Sequence, residues 1–146
     1  MKKVGFLWVT LVLFGCSTSE ETSVPQAGYV VKAPSNLGEV PFEERNPFSK
    51  EGIELGRMLF YDPMLSSNDQ ISCASCHFQN LAFTDGVDLS SKGVSGNQLL
   101  RHSPALINLA WMDGLFWEGG AKDIESLVFG PLTHPDEMNQ DMRELE

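Results

Sequence analysis

One stretch of the chain shows a clear helical period of hydrophobic and polar positions. Ser49 is a typical N-cap residue, and the apolar residues Ile53, Leu59 and Phe60 that follow it lie near one face of a helix. Asp62-Pro63 ends the pattern, because a proline disfavours helical backbone at the residue before it. The pattern therefore predicts a helix over residues 49–61.

The remaining sequence predicts few regular elements. Residues 84–104 are rich in Gly, Ser and Asp, which is typical of a long surface loop. A shorter helix is predicted from Asp123 to Phe129, and Pro135 is expected at the first position of a last helix. Strand patterns are nearly absent. The predicted fold class is therefore mostly α, with long loops.

Such a chain buries little apolar surface by itself. Few helices and long loops provide a small core, yet nine Phe, three Trp and two Tyr must pack somewhere. We therefore expect another group to fill the middle of the fold.

Length and charge exclude several classes of protein. With 146 residues, 42% of them hydrophobic, the chain has room for one ordinary globular domain. Ten Lys and Arg against twenty Asp and Glu give a net charge of −10. This excludes binding to nucleic acid, which requires a basic face, and it disfavours adsorption to anionic lipid by charge. A charged partner, if there is one, should be cationic.

The N-terminus is typical of an exported protein. Two lysines precede the apolar run 4–15, which is too short to span a bilayer and ends at Cys16. Residues 13–16 resemble the lipobox of bacterial lipoproteins, in which the cysteine is acylated. We therefore predict a lipoprotein signal peptide (1–15), a flexible polar tether (16–28) and a domain (29–146) on the periplasmic side of a bacterial membrane, anchored only by lipid. The alternative is an ordinary signal peptide that is cut elsewhere.

Cys73-Ala74-Ser75-Cys76-His77 is the attachment motif of c-type haem. Two thiols must reach the two vinyl groups of one porphyrin, and the next imidazole must reach the iron. On a helix, positions 73, 76 and 77 share one face, so both attachment points and the axial ligand can be presented together. We predict one covalently bound haem c, held by Cys73 and Cys76, with His77 on the iron.

Other uses of the motif fit less well. Zinc would need a fourth ligand and usually a second paired motif. A redox dithiol would want a βαβ context, and a simple disulfide does not explain His77. The motif does not identify the sixth ligand of the iron. Each candidate could equally be a surface or packing residue, and the candidates are His102, His134, Met58, Met64, Met112, Met138 and Met142. Two filled axial positions would make an electron carrier, whereas an open one would admit peroxide.

From about Asn46 onward the sequence resembles the N-terminal half of the bacterial di-haem cytochrome c peroxidases, the family that also includes the MauG proteins. The matching segments follow in order along the chain: Leu55–Pro63, Leu65–Ser67, Ile71–His77, Ala82–Gly86, Arg101–Asn108, Phe116–Gly119, Gly130–Leu132 and Pro135–Met138. The resemblance implies a cytochrome c-like haem domain. It further implies a peroxidase that reduces hydrogen peroxide to water with electrons from a small donor, a cytochrome c or a cupredoxin.

The resemblance also assigns roles to two residues. Glu137 matches the family's active-site glutamate, which would take a proton from one peroxide oxygen and return it to the leaving oxygen. Considered alone, Glu137 would be the N3 residue that caps a helix beginning at Pro135. Trp117 matches the tryptophan that relays electrons between the two haems, although considered alone it would be a core residue. Phe60, Phe78 and Phe83 are assigned to haem packing.

Several positions depart from the family's pattern. Leu127 replaces a glutamine beside the catalytic glutamate, and Gly120 replaces an arginine. His102 replaces an asparagine tied to an inter-domain calcium, so a calcium ion is doubtful here. Val94 stands where some members have a distal histidine, which predicts a haem that is already open on the distal side.

The sequence contains one attachment motif, where the family has a second haem domain with its own. The leading hypothesis is therefore a peroxidase domain, or a MauG-like oxidant, whose second haem domain is absent from this chain and is supplied by a longer protein or another polypeptide. The alternative is a lipoprotein cytochrome that carries electrons without catalysis.

Overall fold

The computed structural model describes residues 29–41, 46–87 and 92–145. The predicted signal peptide (1–15), the tether (16–28) and the proposed lipid attachment at Cys16 lie outside the described residues. Within the described ranges, no helix is both long enough and apolar enough to cross a membrane.

The first helix, α1 (Lys50–Tyr61), confirms the helix predicted over 49–61. The Ser49 hydroxyl accepts a hydrogen bond from the Gly52 amide at 2.9 Å, which is the expected N-cap contact. At the other end Asp62 is extended, as a residue before proline should be. Its carboxylate accepts from the Met64 amide at 2.9 Å and so begins a short 3-10 helix, Pro63–Leu65.

Two short helices replace the single one predicted from Asp123 to Phe129. These are α2 (Ile124–Leu127) and α3 (Phe129–Thr133). The Asp123 carboxylate caps α2 by accepting from the Ser126 amide at 2.7 Å. The predicted start is therefore correct, whereas the helical region continues past the predicted end to Thr133.

The helix predicted to begin at Pro135 is absent, and that prediction was wrong. Residues 135–138 form turns instead. The amides of Met138 and Gln140 donate to the carbonyls of Pro131 and Leu132, at 3.2 and 2.7 Å. Because these bonds fold the segment back onto α3, it cannot extend away as a new helix.

Loops and tight turns form the rest of the described chain. Three further 3-10 helices occur, Cys73–Ser75, Gln79–Leu81 and Leu109–Trp111. The described residues contain no β-strand, only three isolated antiparallel bridges, Phe78–Thr84, Lys92–Gln98 and Leu115–Ala121. The regular structure seen is thus helical, in agreement with the predicted class.

The core is small for a domain of this size. Among the described residues only Leu115, Ala121 and Met138 are buried hydrophobic residues, and α1 has no buried residue. Four polar residues are buried as well: Ser66, Ser72, Asp85 and Ser103. The chain alone leaves much of its apolar surface uncovered, as the sequence predicted.

Candidate haem site

The Cys-x-x-Cys-His segment forms one tight turn. The amides of Cys76 and His77 both donate to the Cys73 carbonyl, at 3.2 and 3.0 Å. The turn is capped by a hydrogen bond from the Ser72 amide to the Ser75 hydroxyl at 3.0 Å. We predicted that a helix would carry the motif, whereas the structure has only a single 3-10 turn there. This turn still brings both cysteines and His77 together.

Cys73 is not suited to redox catalysis by itself. Both cysteines are half-buried, and burial raises the pKa of the Cys73 thiol. A reactive dithiol needs a lowered thiol pKa to form thiolate at neutral pH. This argues against the redox-dithiol alternative, and it agrees with a cysteine whose role is attachment.

His77 is oriented for an axial bond. Its Nδ1 lies 2.5 Å from the Phe83 carbonyl oxygen, which can only accept, so Nδ1 carries the proton. The Nε2 atom then keeps its lone pair for a metal. A ring nitrogen bonded to a carbonyl is the usual arrangement that fixes a metal-binding histidine and raises its basicity.

An unusual backbone conformation sets the position of the Phe83 carbonyl. Ala82 and Phe83 both have positive φ, 56° and 60°, which is uncommon outside glycine. The turn is closed by the Phe83 amide, which donates to the Phe78 carbonyl at 2.9 Å. Two successive left-handed residues cost conformational energy, so neighbouring contacts must hold them.

Thr84, Asp85 and Ser103 hold this turn. The Thr84 hydroxyl donates to the Ser103 carbonyl at 2.7 Å, and the Ser103 amide donates to the Asp85 carboxylate at 3.2 Å. Asp85 is only 4% exposed. Sequence reasoning included these residues in the matching segments but gave them no role, because only the fold shows that they pair.

A large cavity lies beside this turn. Its volume is about 840 Å³, and it is lined by Gly56, Arg57, Phe60, Tyr61, Gln79, Phe83 and Leu106. Phe60 and Phe83 meet edge to face, with ring centroids 5.8 Å apart. Cys73, Cys76 and His77 do not line this cavity, but Phe83, whose carbonyl bonds to His77, does, so the cavity adjoins the attachment turn. Phe60 and Phe83 lie where haem-packing residues should, whereas Phe78 is 41% exposed and does not line the cavity.

No candidate for the sixth ligand lines this cavity. Of the methionines considered, Met58, Met64, Met112 and Met142 are exposed. Met138 is buried at 4% exposure, and its backbone joins Pro131 to Ser67. The described residues also contain no cluster of three or more His, Cys, Asp or Glu side chains that could hold a further metal ion.

Glu137 lies on the turn that follows α3, and not in a helix. The helix-capping alternative for Glu137 is therefore wrong, since residues 135–138 are turns. Burial raises the pKa of the Glu137 carboxyl above its ordinary value. His134 Nδ1 accepts the Asp136 amide at 3.2 Å, so its contact with Glu137 at 3.9 Å is not an ion pair in this arrangement.

Exposed Trp117 pairs with half-buried His102. The rings meet edge to face at 4.8 Å, and the indole N–H donates to the His102 carbonyl at 3.2 Å. Trp117 is 54% exposed, so it is not the core residue of the alternative interpretation. An ion pair between Arg101 and Glu118 lies beside it. The structure thus places Trp117 on the surface, within reach of another molecule.

The fold and the motif define the class: a helical domain arranged around a c-type haem attachment turn. The family model described as "Di-haem cytochrome c peroxidase" matches residues 50–146. The chain belongs to this family.

Individual relatives agree with the assignment. The chain is 40% identical over 103 residues to the methylamine utilization protein MauG of Methylorubrum extorquens, covering 70% of this chain and 29% of that protein. It is 37% identical over 98 residues to the cytochrome c551 peroxidase of Nitrosomonas europaea, covering 67% of this chain and 29% of that protein.

A solved structure shows the same fold. The crystal structure of a MauG-like protein associated with microbial copper homeostasis matches with a TM-score of 0.73 and 33% identity, over 80% of this chain and 34% of that one. The chain therefore spans about a third or less of the length of these relatives.

Proposed function

We propose that this chain is the peroxide-reacting haem domain of a cytochrome c peroxidase-type oxidoreductase. The observation that carries the proposal is the orientation of His77 in the attachment turn, where its Nδ1 bonds to the Phe83 carbonyl at 2.5 Å and its Nε2 is left free for a haem iron. Glu137 lies on the turn that follows α3, where burial raises the pKa of its carboxyl, and a carboxyl with a raised pKa suits proton transfer to and from peroxide.

In this proposal Cys73 and Cys76 would attach one haem c, and His77 would hold its iron. When bound, the haem would supply the chemistry of a two-electron reduction, in which hydrogen peroxide takes up two electrons from the donor and two protons to give two waters. The Phe83 carbonyl holds the proton on Nδ1 of His77. Glu137 takes a proton from one peroxide oxygen and returns it to the leaving oxygen.

Electrons enter through a second haem domain and a small redox donor, a cytochrome c or a cupredoxin. Trp117 is proposed as the relay, because its half-exposed ring is accessible to another molecule. The net charge of −10 favours a donor with a cationic face. We also propose that the domain lies on the periplasmic side of the membrane and is attached through Cys16. Only the N-terminal sequence supports this part of the proposal.

The substitution Glu137→Gln tests the assignment. We expect the Soret-band change that follows addition of hydrogen peroxide to slow by on the order of a hundredfold or more, because the amide cannot accept the proton. In the wild type the rate should rise with pH through the Glu137 pKa, which lies above the ordinary 4.5. That rise should vanish in the variant.

Glu144→Gln is the matched control, since Glu144 is exposed and distant in sequence from the motif. An unchanged rate in Glu137→Gln would remove Glu137 from the mechanism. A wild-type protein with six-coordinate low-spin ferric haem and no response to peroxide would instead support the electron-carrier alternative.

A further inference from the structure

The loop 92–98 lies against the segment that bears Glu137, and the mechanism above gives this loop no role. Its ends are joined by the Lys92–Gln98 bridge, and the Gly96 amide closes its turn on the Gly93 carbonyl at 3.1 Å. The described residues 92–98 thus form a small closed unit, which meets the turn 134–138 at several points.

The closest approach is at Gly93. A Cβ built on this residue would lie 2.6 Å from the Glu137 Cα, and closer still to the carbonyl oxygens of Asp136 and Glu137. These are backbone atoms, so they cannot rotate away as the end of a side chain could. Only glycine fits at this position in the observed arrangement.

Two further contacts join the same segments. The Val94 amide donates to the Glu137 carbonyl at 2.7 Å, a short bond to the residue proposed as the proton carrier. Asn97 Nδ2 donates to the Asp136 carboxylate at 3.0 Å. The loop is therefore bonded both to the carbonyl of Glu137 and to the side chain of the preceding residue, Asp136.

We propose that the loop 92–98 is the positioning element of the active site, in which Gly93 and the Val94 amide fix the backbone of Glu137 and Asn97 fixes the preceding Asp136. This inference rests on the proposed function of Glu137. Proton transfer requires the carboxylate to lie within hydrogen-bond distance of the peroxide oxygens, and displacement by about 1 Å can cost a large factor in rate. These residues act through Glu137 and contact no substrate themselves.

The test uses Gly93→Ala in the haem-loaded protein. The added methyl group must push the two segments apart, so we expect the peroxide-dependent Soret change to slow by on the order of ten- to a hundredfold. Gly120→Ala is the matched control, because a Cβ there has its nearest contact at 3.8 Å and no positive φ. It should react at the wild-type rate.

A double variant separates positioning from a general loss of structure. If Gly93 acts through Glu137, Gly93→Ala combined with Glu137→Gln should be no slower than Glu137→Gln alone. The pH at which the rate rises should also move down in Gly93→Ala, since Glu137 would become less buried. The titratable groups that act on Glu137, namely His134, His77 and Asp136, are unchanged in this variant.

Should Gly93→Ala fail to take up haem, Asn97→Ala provides a milder test, because Asn97 is exposed. It should slow the reaction measurably, and Asn97→Asp should slow it further by placing a second carboxylate beside Asp136. A wild-type rate in a folded Gly93→Ala or in both Asn97 variants overturns the inference. A slow Glu137→Gln variant with wild-type rates in the loop variants leaves the proposed role of Glu137 standing, whereas a wild-type rate in Glu137→Gln removes Glu137 from the mechanism and this inference with it.

Discussion

His77 depends on residues far from the motif for its orientation. Its Nδ1 proton is held by a carbonyl whose own position requires two left-handed residues, Ala82 and Phe83. That strained turn is in turn held by the hydroxyl of Thr84 and the buried carboxylate of Asp85. A bond from Nδ1 to a carbonyl gives the imidazole more electron density, which favours the oxidised iron.

The substitution Thr84→Val tests this dependence. It removes the hydroxyl that donates to the Ser103 carbonyl and so loosens the turn that carries Phe83. We expect the haem reduction potential to rise by a few tens of millivolts, because a hydrogen bond contributes about 0.5–1.5 kcal/mol and about 59 mV corresponds to a tenfold change in a one-electron equilibrium. The measurement is a spectroelectrochemical titration of the haem-loaded protein.

Thr133→Val is its control, since the Thr133 hydroxyl also donates at 2.7 Å to a backbone carbonyl, that of Phe129 within α3. The potential of this variant should equal that of the wild type. Equal shifts in the two variants would mean that the effect is one of general stability and does not act through His77.

At the scale of elements, local signals were predictive and distant contacts were not. The bounds of α1 follow from Ser49 and Asp62-Pro63, whose contacts are made within a few residues of themselves. Pro135 carries an equally clear local signal for a helix. The predicted helix does not form because the amides of Met138 and Gln140 donate hydrogen bonds back to carbonyls of α3. No short window of sequence reveals those partners.

The cap of α1 gives a prediction for stability. Ser49→Ala removes the acceptor of the Gly52 amide, and we expect it to lower the free energy of unfolding by about 1 kcal/mol. Since Ser49 does not line the cavity, the haem spectrum should be unchanged. Urea unfolding followed by circular dichroism measures the difference. Ser67→Ala, at an exposed serine, is the control; a loss of similar size there would contradict a specific role for the cap.

At the scale of the whole molecule, the attachment site was predictable and its surroundings were not. Cys73, Cys76 and His77 are adjacent in sequence, so their chemistry can be recognised without a fold. Asp85 with Ser103, and Gly93 with Glu137, become meaningful only when distant segments meet. The small core was also predictable, because it follows from counting aromatic residues against few helices.

That small core makes the cofactor part of the folding unit. Helix α1 has no buried residue, and Phe60 and Phe83 border a cavity of about 840 Å³. Apolar surface contributes roughly 25 cal/mol per Å² when it is removed from water, so the surface that these residues leave exposed would be stabilised by packing against haem. We expect Cys73→Ala/Cys76→Ala, which cannot attach haem covalently, to lose cooperative unfolding, to bind a hydrophobic dye, and to exchange the amides of α1 rapidly.

His77→Met keeps both cysteines and hence the attached haem, so it should still unfold cooperatively even though its axial bond has changed. A haem-free double variant with a sharp thermal transition and protected α1 amides would show that the polypeptide stabilises its own core, and that the cavity does not need haem to keep its shape.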